Sequence, residues 1–147
     1  MRLAWALAAA SFVWLALLAG GASCAPDGAS WFCDAIFRFC SYVCHQRPER
    51  SFHWGAQAWP VCARCLGLYV AAPAGAALAI VARAPVSFPG GGRNLVVLCG
   101  AAIPTFLTWM LEHAAGMMMS NALRFAAALP LGAVVAWVLV RTARNPA

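Results

Sequence analysis

Long apolar stretches without charged residues dominate the chain. A membrane-spanning helix needs about 20 consecutive, mostly apolar residues. Four stretches approach or reach this length, at residues 3–22, 65–82, 94–111 and 122–140. Pro73, Pro104 and Pro130 fall inside the last three and predict kinks, which membrane helices tolerate where neighbours satisfy the freed carbonyls. The pattern predicts an all-α integral membrane bundle of about four transmembrane helices, forming a single membrane domain over residues 1–147.

The first stretch has a second interpretation. It begins with Arg2, continues as an apolar run and ends in small residues before Cys24, which is also the pattern of a secretory signal peptide. A retained helix gives four spans, whereas a cleaved signal leaves three. Both alternatives stay open at the sequence level.

Two of the spans carry small residues at every fourth position. Such rows let membrane helices approach closely. They comprise Gly67, Ala71, Gly75 and Ala79 in the second span, and Ala128, Gly132 and Ala136 in the fourth. These two rows are expected to form helix contacts.

The composition agrees with a membrane protein. Hydrophobic residues make up 64% of the 147 residues and charged residues only 10%, compared with about 25% charged in soluble domains. All ten basic residues are arginines, and the net charge is +6. Because these arginines form no dense basic stripe, membrane lipids are the expected partners and nucleic-acid binding is not expected.

The arginines also predict an orientation. One group flanks the ends of the spans and comprises Arg2, Arg83, Arg93, Arg141 and Arg144, the second and third beside a predicted Pro-Gly turn at residues 89–92. The positive-inside rule places this group, and both termini, in the cytoplasm. The long loop over residues 23–64 would then be external, although it contains four arginines of its own, including Arg38. A loop of that length is usually functional.

The long loop holds the most informative motif. Cys44 and His45 are followed, after sixteen residues, by Cys62 and Cys65 in a Cys-x-x-Cys pair. Three thiols and one imidazole are a common ligand set for tetrahedral zinc. Four protein ligands would close the coordination shell, which predicts a structural zinc ion that orders the loop.

Two other chemistries fit the same cysteines. They could form a structural disulfide in an oxidising compartment, between Cys62 and Cys65 or between Cys44 and either of them. They could also belong to a thiol-disulfide oxidoreductase that uses the Cys62 and Cys65 pair, with Cys44 as a relay thiol. If residues 30–44 are helical, Cys33 and Cys40 share one face with Cys44. Cys24 and Cys99 are expected to be incidental apolar side chains.

These motifs resemble a bacterial family of small predicted membrane proteins, domain of unknown function 2085. The matching residues are Cys44, His45, Gln46, Pro48, Arg50, Ser51 and Phe52, then Cys62, Arg64, Cys65, Gly67 and Tyr69, then Ser120, Asn121 and Arg124. The resemblance covers residues 31–135 and implies the cytoplasmic membrane of a bacterium, but no activity. Thr108 stands where the family usually has an aspartate, and Glu112, one turn later on the same face, is a candidate substitute.

Polar residues near the membrane suggest a second site. Arg47, Arg50 and Arg64 are candidate ligands for a lipid phosphate, because arginine grips phosphate with two parallel hydrogen bonds. Polar residues inside spans are costly unless they pair, and the set here is Thr108, Glu112, Asn121 and Arg124. Glu112 and Arg124 are expected to form an ion pair.

The sequence therefore predicts a small multi-pass membrane protein whose external, arginine-rich loop is closed by zinc. A membrane thiol-disulfide oxidoreductase and a lipid-phosphate binding or transport protein are the alternatives. The sequence assigns no reaction, so enzymatic activity is left undecided.

Overall fold

The computed structural model describes residues 1–24, 30–82 and 92–144. Its helices are α1 (Arg2–Ala22), α2 (Trp31–Ser41), α3 (Ala63–Val81), α4 (Gly92–Ala114) and α5 (Asn121–Arg144). A 3-10 turn (Pro48–Arg50) and two short strands, β1 (His53–Trp54) and β2 (Gln57–Ala58), lie between α2 and α3. Four helices, α1, α3, α4 and α5, are long and apolar enough to cross a membrane. The expected all-α membrane fold is confirmed.

Helices α3 and α5 form the centre of the bundle and run in the same direction. An added Cβ at Gly67 would collide with the Phe125 carbonyl, and one at Gly75 would collide with the backbone of Ala133. Gly132 faces the Leu68 backbone in the same way. The small residues are therefore required where the two backbones touch, as the four-residue spacing predicted.

Helix α1 packs antiparallel to this pair. Near its start, Ala4 and Ala8 are buried with Ala76 and Ala79 of α3. Near its end, Leu18 is buried in a second core cluster, together with Ile36 of α2 and the residues that lead into α3. The α1 segment is therefore an integral part of both cores.

Helix α4 lies on the outside of the bundle, antiparallel to α5. Protein buries only 6% of the residues in the most apolar 18-residue stretch of α4. Thr105 donates a hydrogen bond to the Ala127 carbonyl of α5 (2.9 Å). Large apolar residues such as Phe106 and Leu107 remain exposed. In a bilayer, lipid would cover this face.

Helix α5 extends beyond its predicted end at residue 140. Arg144 donates to the carbonyls of Ala79 and Ile80, both at 2.7 Å, and Arg141 donates to the carbonyl of Ala82 (3.0 Å). These bonds satisfy carbonyls left free at the end of α3. The last turn of α5 thus caps the end of α3 through Arg141 and Arg144. Arg83 and the predicted turn residues 89–91 lie outside the described residues.

The loop before α3 is more ordered than the sequence indicated. Strands β1 and β2 pair antiparallel, with His53 opposite Ala58. Gly55 takes a left-handed backbone conformation (φ 62°) in the connecting turn, which glycine adopts without steric cost. A further bond from the Trp59 N–H to the Phe52 carbonyl (2.8 Å) closes the hairpin.

The expectation that Cys24 is incidental is wrong. Cys24 forms a disulfide with Cys33 that joins the end of α1 to α2, with a Cα separation of 6.1 Å. Helix α2 ends at Ser41, so Cys44 lies beyond the helix and does not continue the helical face of Cys33 and Cys40. A helix face alone cannot reveal a partner on another element.

Candidate metal centre and neighbouring arginine cluster

Three cysteines from separate parts of the loop meet at the start of α3. Cys62 is the residue before the helix, Cys65 lies in its first turn, and Cys44 follows α2. Their sulfur atoms all lie within 4.8 Å of one another. Three thiolates at tetrahedral positions, each about 2.3 Å from zinc, would be about 3.8 Å apart. The arrangement needs only a small contraction to hold a metal ion.

The environment stabilises a thiolate at Cys44. Hydrogen bonds from the Cys62 and Cys65 thiols lower the pKa of Cys44 to about 2, and the backbone N–H of Cys62 also donates to its sulfur (3.1 Å). The bond to Cys44 raises the pKa of Cys62. Cys44 is therefore the cysteine of this group that most readily exists as a thiolate, the form that binds metal ions.

Gln46 holds this loop in place. Its side-chain amide donates to the carbonyl of Phe37 (2.8 Å) in α2 and to the carbonyl of Pro60 (2.9 Å) before α3. Its backbone is left-handed (φ 50°), a conformation that residues other than glycine rarely adopt. Gln46 thus joins the two segments that supply the cysteines, a role that its position in the motif did not reveal.

His45 is placed apart from the three sulfurs. The imidazole is exposed, and its Nδ1 accepts a hydrogen bond from the Arg47 N–H (3.1 Å). Among the described residues, the three cysteines have no fourth histidine, cysteine or carboxylate within the same distance. The role of His45 as fourth ligand stays a prediction. For His45 to bind a metal, the hydrogen bond to Nδ1 must first break. While Nδ1 accepts this bond, a neutral imidazole carries its proton on Nε2, so neither nitrogen is free to bind the metal.

Cys40 lies deeper in the same core cluster. It is fully buried beside Cys44, Val61 and Leu66. Burial raises its pKa to about 11, and the nearby Cys44 contributes to the shift. Cys40 is therefore a protonated, apolar neighbour of the three-cysteine group.

A second group of charged side chains lies beside the cysteines. We call Glu112, Arg50, Arg64 and Arg124 the arginine cluster. The Glu112 carboxylate accepts from Arg124 Nε and from Arg64 Nη2 (3.3 Å), and Arg50 Nη1 is 4.0 Å away. The side chains of Glu112 and Arg124 are only 3% and 4% exposed. The expected pair of Glu112 and Arg124 is thus present, with two further arginines.

The other polar residues predicted for the spans join this cluster. Asn121 accepts from Arg124 through Oδ1 (2.6 Å) and donates through Nδ2 to the Ser51 carbonyl (2.9 Å). Thr108 Oγ1 accepts from Arg64 Nη2 (3.4 Å). Phe52 packs edge-on against Phe125, with ring centroids 5.8 Å apart. The loop motif is therefore docked onto the start of α5.

The three arginines proposed to bind phosphate are separated. Arg50 and Arg64 lie in the cluster, with side chains 22% and 17% exposed. Arg47 is exposed, and none of the ion pairs between described residues involves it. Arg124, assigned from the sequence only to the Glu112 pair, joins Arg50 and Arg64. Arg124 belongs to the cluster because it pairs with Glu112. The sequence alone does not show which other arginines Glu112 contacts.

Arg64 connects the three-cysteine group to the arginine cluster. It lies between Cys62 and Cys65 in the sequence, and its side chain pairs with Glu112. The cysteines offer soft sulfur ligands, which suit zinc. The cluster offers guanidinium groups, which suit anions. Together, four spanning helices and this polar end define a multi-pass membrane protein with a candidate metal centre at one end of the bundle.

Comparison with known proteins places the chain in a family. Residues 44–138 match the predicted membrane protein family DUF2085, and the chain belongs to it. An uncharacterized protein of Methanothermobacter thermautotrophicus is 34% identical over 91 residues, which cover 62% of this chain and 78% of that protein. No solved structure matches. The matched region contains both the cysteines and the arginine cluster.

Proposed function

We propose that the protein is a membrane protein whose cysteine-bearing loop is held closed by a structural zinc ion. The observation that supports this most directly is the convergence of Cys44, Cys62 and Cys65 within 4.8 Å. In this proposal, His45 completes the coordination when the metal binds. The metal then joins α2 to α3 and holds the loop against the arginine cluster.

The physical reason for a structural role is the small core of the loop. The regular structure between α2 and α3 consists of a 3-10 turn and a hairpin of two strands, each two residues long. Few of its side chains are buried, among them Ser51, Pro60 and Val61. A metal that closes such a loop would supply order that the apolar core does not.

Elemental analysis of the detergent-purified full chain tests this proposal. We expect one zinc per chain in the wild type and none in Cys62→Ser, with Cys99→Ser as the matched control, because Cys99 is exposed on α4. In the metal-bound protein, iodoacetamide should modify Cys44, Cys62 and Cys65 only after a chelator has removed the metal. Full zinc content in Cys62→Ser would refute the proposal.

A further variant tests the fourth ligand. His45→Ala should weaken zinc binding at least tenfold without abolishing it, as measured by competition with a zinc-binding dye. An unchanged affinity would instead give a site with three protein ligands and an open position, the arrangement found in catalytic zinc sites.

A thiol-disulfide oxidoreductase is the second candidate. The thiolate at Cys44 lies within reach of both Cys62 and Cys65, the arrangement that thiol-disulfide exchange requires. Oxidation of a dithiol pair would pass two electrons and two protons to a membrane quinone. The purified protein would then hold no metal, and added quinone would convert the Cys62 and Cys65 pair between its dithiol and disulfide forms. That result would favour the oxidoreductase over the zinc-closed loop.

We also propose that the cysteine end faces the outside of the cytoplasmic membrane. The disulfide between Cys24 and Cys33 lies at this end, and disulfides persist in oxidising compartments. The opposite end carries Arg2, Arg141 and Arg144, as the positive-inside rule requires of a cytoplasmic face. Membrane lipids are the proposed partners. Labelling of single-cysteine variants in intact cells with an impermeant reagent tests the orientation.

A further inference from the structure

The arginine cluster carries more positive charge than its carboxylate balances. Three guanidinium groups, from Arg50, Arg64 and Arg124, surround the single carboxylate of Glu112. Within the described ranges, no second carboxylate pairs with any of them. The cluster therefore has an excess of two positive charges, which is costly at the edge of a bilayer.

The helix ends add to this imbalance. Arg64 lies in the first turn of α3 and Arg124 in the first turn of α5, where the helix dipole is already positive. Glu112 lies in the last turn of α4, where the dipole is negative. The starts of α3 and α5 favour an anion, whereas the end of α4 disfavours one. Two positive helix ends against one negative end leave a net positive field at the cluster.

Two of the guanidinium donors have no partner. Nη2 of Arg124 and Nε of Arg64 are buried and make no hydrogen bond to any described residue. Arg124 is the more telling case, because its side chain is only 4% exposed. Buried polar groups are nearly always hydrogen-bonded in folded proteins. The cluster thus has free donors as well as free charge.

Arg50 gives the cluster an accessible side. It is the most exposed of the three arginines and is 4.0 Å from Glu112, the longest of the ion-pair distances. The long distance makes this the weakest of the three ion pairs. Movement of Arg50 would therefore uncover the cluster at less cost than movement of Arg64 or Arg124.

We infer that the arginine cluster is a binding site for a phosphate-type anion, held by Arg50, Arg64 and Arg124 beside Glu112. Phosphate provides several acceptor oxygens in the geometry that guanidinium groups bind with paired hydrogen bonds. The cluster lies where α3 and α5 begin, at the edge of the spanning segments and hence at the depth of phospholipid headgroups. The ligand is either a headgroup phosphate or free phosphate. The observations behind this inference come from the arginine cluster and not from the three cysteines.

The first test adds one negative charge to the cluster without removing an arginine. Thr108→Asp places a carboxylate beside Arg64, since Thr108 Oγ1 is 3.4 Å from Arg64 Nη2. Thr142→Asp is the matched control, because Thr142 is exposed near the opposite end of α5. Binding of inorganic phosphate to the detergent-purified full chain is followed by the shift in Tm, at constant ionic strength set with chloride. We expect Thr108→Asp to raise the Kd at least tenfold and Thr142→Asp to leave it within twofold.

A second pair of variants removes a charge. Arg50→Gln should weaken phosphate binding at least tenfold, whereas Arg47→Gln should have little effect, because Arg47 is exposed and belongs to no ion pair of the cluster. Arg50→Gln decides the question if Thr108→Asp does not fold. Zinc content is measured in every variant, and it should not change.

A parallel experiment distinguishes the source of the phosphate. Native mass spectrometry counts phosphatidylglycerol molecules retained by the wild type and by Thr108→Asp. One retained lipid that Thr108→Asp loses assigns the site to a headgroup, and saturable binding of inorganic phosphate alone assigns it to the free anion. Either result supports the inference. Absence of both, or equal losses in Arg47→Gln and Arg50→Gln, overturns it, because equal losses would indicate a diffuse surface charge.

Discussion

Removal of the charge of Glu112 should lower the stability of the fold through the loss of ion pairs alone. Glu112→Gln keeps the size of the side chain and a hydrogen-bond acceptor for Arg124, but it removes the only carboxylate that pairs with the cluster among the described residues. Arg124 would then be a buried cation without a counter-charge. The substitution therefore isolates the contribution of charge from that of shape.

The expected magnitude follows from burial. Breaking a buried ion pair by removing one partner costs about 3–5 kcal/mol. Glu112 and Arg124 are 3% and 4% exposed and fall in this regime, whereas Arg50 and Arg64 are partly exposed and contribute less. Because the glutamine retains a hydrogen bond, we expect a loss of about 3 kcal/mol, which is roughly a hundredfold in the folding equilibrium.

The assay is equilibrium unfolding in mixed micelles of a mild and a denaturing detergent, without added phosphate. Glu49→Gln is the matched control, because Glu49 is exposed and should change the free energy of unfolding by no more than about 0.5 kcal/mol. The double variant Glu112→Gln with Arg124→Met should recover at least half of the loss. A Glu112→Gln protein within about 1 kcal/mol of Glu49→Gln would refute the reasoning, since it would mean that solvent screens the pair.

Two other predictions concern packing and the disulfide. Gly75→Ala should destabilise the bundle by about 1–3 kcal/mol, because its Cβ would meet the Ala133 backbone, whereas Gly100→Ala, with open space around it, should be neutral or slightly stabilising in the same unfolding assay. The double replacement of Cys24 and Cys33 by serine should lower the free energy of unfolding by about 2–3 kcal/mol, since the bridge closes a short loop. No change on reduction of the wild type would contradict the last prediction.

Much of the architecture could be predicted from local pattern alone. Apolar runs long enough to cross a bilayer specify the spanning helices, because an unpaired backbone is not tolerated in lipid. The contact between α3 and α5 also follows from Gly67, Gly75 and Gly132, since only small residues permit that approach. The short spacing of Cys62 and Cys65 places them within one helical turn in any fold that has α3.

The composition of the two candidate sites was less predictable. The pairing of Cys24 with Cys33 depends on how α1 meets α2, a contact without a periodic signal. Arg47 and Arg50 are close in sequence, yet only Arg50 reaches Glu112. The hydrogen bonds of Gln46 to two distant carbonyls depend on the path of one irregular loop, and so does the separation of His45 from the three sulfurs.

The sequence by itself determined the class of protein, the approximate spans and the residues that are candidates for metal and anion binding. These properties are local, because hydrophobic length and helical spacing act within a single segment. Only the tertiary structure decided which side chains meet. Glu112 near the end of α4 selects arginines from the loop, α3 and α5, and such a choice requires the helices to be packed before the charges can pair.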